Sequence, residues 1–154
     1  MTIELQIDDA SGEEVQALIL EHLSGMHKDS PPGHVNALAL DSFRATDITL
    51  WSAWMDGRLC GCGALKEHDS ETAELKSMRT RAAFLGQGVG QAVLDQIIRT
   101  ARVRGYKRVY LETGTGDSFA AAHALYLKNG FNWCGAFGDY KATDFNVFMV
   151  RSLA

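Results

Sequence analysis

The 154-residue chain is short of five things, and each shortage excludes something. Proline occurs only as Pro31 and Pro32, and no low-complexity run is present, so there is no proline-rich linker. Positive charge is not in excess: 15 Lys+Arg against 19 Asp+Glu give −4, which argues against nucleic acid as the main partner. No apolar run approaches the roughly 18 residues that span a bilayer, so no membrane partner is expected. Met1-Thr2-Ile3-Glu4 carries neither the positive nor the apolar region of a signal peptide, and the expected location is cytoplasmic. Cysteine is scarce and odd in number. Cys60, Cys62 and Cys134 are expected to be reduced thiols. Read at period two, Cys60 and Cys62 share one strand face as small buried residues. No further ligand cluster accompanies them, so no metal is expected.

What is present is an ordinary globular composition, 46% apolar and 22% charged, at a length that suits one domain over residues 1–154. Thr2 to Ile7 reads as a strand. Ser11 and Glu14 form a capping-box pattern before a helix whose Val15, Leu18, Ile19, His22, Leu23 and Met26 keep helical spacing. Pro31-Pro32-Gly33 marks a loop, and Val35 to Phe43 reads as a second helix. A hairpin follows: Ile48 to Met55, a type I′ turn at Asp56-Gly57, and Arg58 to Lys66. After a turn at His68-Asp69-Ser70 comes a strand from Ala73 to Thr80. Val89, Val93, Leu94, Ile97 and Ala101 mark one face of a helix closed by Gly105. A strand over Lys107 to Thr113, a helix over Ser118 to Asn129 capped by Asp117 or Ser118, and strands over Phe131 to Phe137 and Phe145 to Arg151 complete the order. The crossover through the glycine-led helix predicts a parallel pair. The fold class is therefore α+β, with a mostly antiparallel mixed sheet, a central parallel pair and flanking helices.

The most informative stretch joins the strand ending at Thr80 to that helix. In Leu85-Gly86-Gln87-Gly88-Val89-Gly90-Gln91, alternating glycines let backbone N–H groups face an anion at close range. The following helix adds its unpaired N–H groups and positive dipole end, which together suit a pyrophosphate. A dinucleotide site would place glycine at Gln91 and would follow the first strand of a βαβ unit, although Glu112 stands 22 residues after Gly90 as its ribose ligand would. A P-loop would need a lysine and a hydroxyl residue after the glycines. A mere tight turn would not need three glycines.

The strand–GxG–helix–strand–helix order, ending in Leu125-Tyr126-Leu127-Lys128-Asn129-Gly130-Phe131, resembles the GNAT acyl-CoA N-acyltransferases over almost the whole chain. Their L-Y-x-x-x-G-F pattern is complete here. Their R/Q-x-x-G-x-G/A loop keeps Gly88 and Gly90 but has Leu85 in place of arginine or glutamine, and Phe119 stands where many members have asparagine. Trp51-Ser52-Ala53-Trp54, Gly61-Cys62-Gly63-Ala64-Leu65-Lys66-Glu67 and Glu74-Leu75-Lys76-Ser77-Met78-Arg79-Thr80 are similar to the bacterial YsnE-like subgroup.

The resemblance implies acetyl-CoA as cosubstrate. Pantetheine and thioester would lie beside Met78, Arg79 and Thr80, with the pyrophosphate on Leu85, Gly86, Gln87, Gly88, Val89, Gly90 and Gln91. Tyr126 would be the acid that protonates the leaving thiolate, and Glu74 the base, with Glu112 or a water chain as alternatives. Alternation places Glu74, Lys76 and Met78 on one strand face. Glu112, His27 and His34 are candidate contacts to the acceptor, a small-molecule amine or a peptide; His123, one turn before Tyr126, is either its proton partner or an exposed bystander. Trp51 and Trp54 fall on opposite faces, so at least one belongs to the core. The alternative to an enzyme is a non-catalytic acyl-CoA-binding sensor. The apolar Phe145-Asn146-Val147-Phe148-Met149-Val150 is compatible with a homodimer or with a strand buried in its own sheet.

Overall fold

Strand β1 (Ile3–Asp8) lies antiparallel to β2 (Ile48–Met55), and β2 returns through Asp56 and Gly57 into β3 (Arg58–Glu67). Both turn residues have positive φ, 51° and 78°, as a type I′ turn demands. The computed structural model describes residues 2–26, 43 and 45–153. The helix expected over Val35 to Phe43 thus lies outside the described residues, apart from Phe43, which is buried. β4 (Thr72–Thr80) continues the meander, and β5 (Arg108–Gly114) runs parallel to it. β6 (Asn132–Cys134) and β7 (Asn146–Ser152) close a seven-stranded sheet of order β1-β2-β3-β4-β5-β7-β6. The helices among the described residues are α1 (Glu13–Met26), α2 (Val89–Val103) and α3 (Ala120–Lys128). None of them is long and apolar enough to cross a membrane.

The α1 face of the sheet is packed with Val15, Leu18, Ile19, Leu50, Leu59, Cys62 and Ala64. The other face buries Val89, Val93, Leu94 and Ile97 of α2 against Trp51, Leu65, Leu75 and Leu111. Two strand glycines set how close α2 sits. A Cβ on Gly61 would stand 2.6 Å from a methyl of Val89, and one on Gly63 would stand 2.6 Å from a methyl of Val93. The helix therefore rests on strand backbone there. Trp51 is buried and Trp54 partly so.

Five local expectations need correction. Cys60 and Cys62 do not share a face: Cys60 joins the α2 core and Cys62 the α1 core. The pairing of β2 with β3 shifts at Ala53/Trp54, where Cys60 is an extra residue on β3, and one extra residue reverses every later side chain. Likewise Met78 does not share a face with Glu74. The β3–β4 register shifts between Cys62 and Ala64, Ser77 adopts φ +56°, and Met78 packs with the α2 core. The first helix starts from Gly12, whose carbonyl accepts from Gln16 N–H, while Asp8 and Asp9 carboxylates hold the preceding turn. Before α3 the chain makes a 3₁₀ turn over Asp117–Phe119, and no side chain caps either element. The strand expected from Phe131 to Phe137 shrinks to Asn132–Cys134, because the chain turns back to lay Phe137 against Tyr110, Tyr140 and Phe148.

Ser77 is the bulge that redirects β4, and a left-handed conformation in a non-glycine residue stores about 1–3 kcal/mol. Ser77→Gly is expected to leave the thermal midpoint at or above the parental value. Ser77→Val should lower it by several degrees; equal midpoints for both would show that this conformation is not held.

Candidate active site

Parallel pairing of β4 with β5 runs from Thr72↔Arg108 to Leu75↔Leu111 and stops there, while β3 stays paired to β4 as far as Thr80. The Ser77 bulge is the local cause, since it turns β4 away from β5 just beyond the last pair. The sheet parts in its middle, and a cleft of about 460 Å³ opens between the unpaired end of β4, the glycine loop and α3. Met78, Arg79 and Thr80 form one wall, the glycine loop another, and Ser118, Ala122, Leu125 and Tyr126 a third.

The loop is shaped by two left-handed glycines, Gly86 at φ 76° and Gly88 at φ 83°, and Gly88 is the N-cap of α2. Their missing side chains leave nothing between the backbone and the cleft. Leu85, Gly86, Gly88, Val89, Gly90 and Gln91 all line the cleft. Gln87 does not; its side chain reaches back to the Ala83 carbonyl at 3.4 Å. The Gln91 amide is already engaged, exchanging hydrogen bonds of 2.8 and 3.0 Å with Asn129 and donating to Asp95 at 2.8 Å. It ties the start of α2 to the end of α3, so only its backbone N–H is on offer to a ligand.

Tyr126 is buried, with its ring 5.7 Å from that of Phe131, and it lines the cleft. Burial alone pushes its phenol well above the ordinary tyrosine range, so it is protonated at any working pH. Among the described residues no group hydrogen-bonds its hydroxyl. His123 is not its partner. The imidazole Nε2 sits 3.0 Å from the Gly114 carbonyl and the ring lies between Phe119 and Trp133, at the end of β5.

Glu74 does not line the cleft. It is 2% exposed, on the sheet face opposite α2, with Oε1 2.8 Å from His68 Nε2. The Tyr140 hydroxyl donates to Oε2, and Lys76 Nζ stands 3.5 Å from the same oxygen. Burial, then the hydrogen bond to Glu74, pushes the Tyr140 phenol far up. Glu112 accepts a 2.8 Å bond from Asn146 on the same face. His27 and His34 lie outside the described residues. Sequence reasoning missed His68 and Tyr140; Tyr140 stands 66 positions from Glu74, and nothing in its local sequence points to a carboxylate.

Residues 14–131 match the Acetyltransferase (GNAT) family. The chain belongs to that family. It is 47% identical over 149 residues to YsnE of Bacillus subtilis, an uncharacterized N-acetyltransferase, covering 97% of this chain and 99% of that one. It is 42% identical to YedL of Escherichia coli, also an uncharacterized N-acetyltransferase, covering 97% and 94%. These relatives place it in the YsnE-like subgroup. Among solved structures, a Klebsiella pneumoniae protein assigned as an acyl-CoA N-acyltransferase superposes with TM-score 0.81 at 24% identity, over 99% of both chains. A GNAT acetyltransferase of Elizabethkingia anophelis, solved with acetyl-CoA bound, gives TM-score 0.73 at 21% identity over 98% of both. The GNAT fold is thus established, and the chain is an acyltransferase.

In this acetyltransferase Leu85, 65% exposed at the cleft, stands where other members carry arginine or glutamine. Leu85→Arg is expected to tighten CoA binding by up to about fivefold at low salt, since an exposed ion pair contributes about 0.2–1 kcal/mol. The gain should fade at high salt. Calorimetric titration at two ionic strengths checks it, and weaker binding at low salt would place the pyrophosphate elsewhere.

Proposed function

We propose that this acetyltransferase, acting as one domain, moves an acetyl group from acetyl-CoA directly to a primary amine of a small molecule or a peptide. The observation that carries the reading is the parting of β4 from β5 beside a left-handed glycine loop. It leaves the backbone of Lys76 to Thr80 without a β5 partner, next to a helix N-terminus suited to phosphate. Amides of a pantetheine arm fit the first feature and a pyrophosphate the second. That GNAT relatives of the same fold bind acetyl-CoA or CoA supports it further.

Direct transfer is favoured because the thiol nearest the cleft is a poor nucleophile. Burial pushes Cys62 up to about 12, and its Sγ is hydrogen-bonded to the Ser77 carbonyl at 3.4 Å. Tyr126 holds the proton that the leaving thiolate takes. Glu74 is the carboxylate through which the amine proton departs. It precedes Met78 by four residues, at most about 13 Å along a strand bent by the Ser77 bulge, so water bridges the distance. Glu112 adds negative charge on the same face and favours a cationic acceptor. The apolar β7 calls for no second copy, because it is an interior strand between β5 and β6.

The test is the thermal midpoint with acetyl-CoA, CoA, NAD and ATP in turn. A ligand at about 100 times its Kd stabilises by about 2.7 kcal/mol, which is a rise of roughly 5–10 °C at this size. A rise with acetyl-CoA and CoA supports the reading and leads to thiol-release assays on a panel of a polyamine, an amino-acid amide, an aminoglycoside and a lysine peptide. A rise with NAD alone overturns it.

A further inference from the structure

An ammonium group that becomes an amide gives up two protons. As the C–N bond forms and the C–S bond breaks, one proton ends on the sulfur of CoA and the other has to reach bulk water. Glu74 is closed to solvent at 2% exposure, so a proton it accepts needs a way out. We propose that His68 is that outlet: its imidazole takes the proton from Glu74 and releases it to solvent. The proposal rests on the function proposed above.

Among the described residues every group around Glu74 points the same way. Oε2 faces the Tyr140 hydroxyl and the Lys76 ammonium, which already carry protons and donate toward it. Lys76 also donates to the Tyr140 oxygen at 3.2 Å, so that side is a closed loop of donors. The cross-strand neighbour on β3 is Lys66, another cation, and the register neighbour on β5 is Tyr110. Glu112, farther along β5, is held by Asn146. Among the described residues Oε1 alone meets an imidazole, which can take a proton on one ring nitrogen and release one from the other; His68 Nε2 stands at 2.8 Å.

The outer end of His68 fits the part. Its side chain is 26% exposed where Glu74 is 3% exposed, so the pair spans buried to open. The ring is held edge-on to Phe137 at 5.9 Å, and the residue is pinned by its N–H to the Thr72 carbonyl. Asp69 follows it in the turn and fixes the turn's shape, its Oδ1 accepting from the backbone N–H groups of Glu71 and Thr72 at 2.8 Å each. Phe137 and Tyr140 belong to the segment between β6 and β7, so that segment both covers Glu74 and steers the proton toward His68.

The experiment compares His68→Gln, His68→Ala and Glu74→Gln, with acetyl-CoA and the panel amine of highest turnover. Glutamine can keep a hydrogen bond to Glu74 but cannot relay a proton. His68→Gln is expected to fold with the parental midpoint and the parental acetyl-CoA shift, and to lose about 100-fold in kcat, the low end for a positioned proton carrier. Free imidazole should restore His68→Ala in proportion to its concentration. Full turnover by His68→Gln overturns the outlet, as does a loss in His68→Ala that imidazole leaves unchanged. Glu74→Gln separates the two levels: inactive beside a fully active His68→Gln removes only the outlet, whereas fully active removes Glu74 as the base as well. One readout needs no acceptor. The ¹⁵N shifts of the His68 ring should move in Glu74→Gln, and unmoved shifts overturn the proposal whatever the panel shows.

Discussion

Replacing Tyr126 by phenylalanine is expected to lower kcat by about 10²–10⁴-fold, the usual loss when a positioned acid is removed. The KM for acetyl-CoA and the thermal shift it produces should stay parental. Both expectations come from the geometry. The ring is fixed against Phe131 and phenylalanine keeps that contact, while the hydroxyl has no partner among the described residues whose loss would disturb the core. Because burial raises the phenol above its ordinary value, the acid is fully protonated over the whole assay range. The loss should therefore be the same at roughly pH 6 and pH 9. Unchanged turnover would remove the acid role. Parental protein that binds acetyl-CoA but acetylates no amine would instead favour the sensor reading.

The second large effect is expected at Gly88. As the N-cap of α2 with φ 83°, it holds the loop in a conformation that a β-branched residue resists by about 1–3 kcal/mol. Gly88→Val is expected to relieve that strain by swinging the loop out of its cradle. Affinity for acetyl-CoA then falls by about 10- to 100-fold, at 1.4 kcal/mol per factor of ten. Space is not the obstacle, since an added Cβ there meets nothing within 4 Å. Gly88→Asn is the control, because asparagine tolerates the left-handed region; it should keep most of the affinity. Equal losses in both variants would mean that the side chain itself obstructs the ligand.

Much of the fold and the shape of the glycine loop are legible in the sequence, and the reasons are local. Asp56-Gly57 and the alternating glycines announce backbone conformations that few other residues adopt, so they read correctly one position at a time. The order of elements around Gly88 fixed the parallel β4–β5 pair through its crossover helix. What escaped was written in no single residue. A bulge adds one residue to a strand and leaves the composition of that strand unaltered, so a period of two puts Cys60 and Met78 on the wrong faces. Gly61 and Gly63 look like weak strand residues until α2 is laid over them. The carboxylate of Glu74 stood out as a candidate, but its partners arrive from the β3–β4 turn and from a segment near the C-terminus, and only the folded chain brings them together.

The parted sheet carries a liability as well as a site. An ordinary open sheet has two rims, which proteins blunt with charge, twist or short strands. Here β1 and β6 are those rims, and the parting of β4 from β5 adds two more inside the molecule. An inner rim cannot be blunted in the same way, because the bulky or charged residues that would protect it would also close the passage. Its cover has to be a guest. On this view a CoA arm lying along β4 does for the sheet what an eighth strand would do.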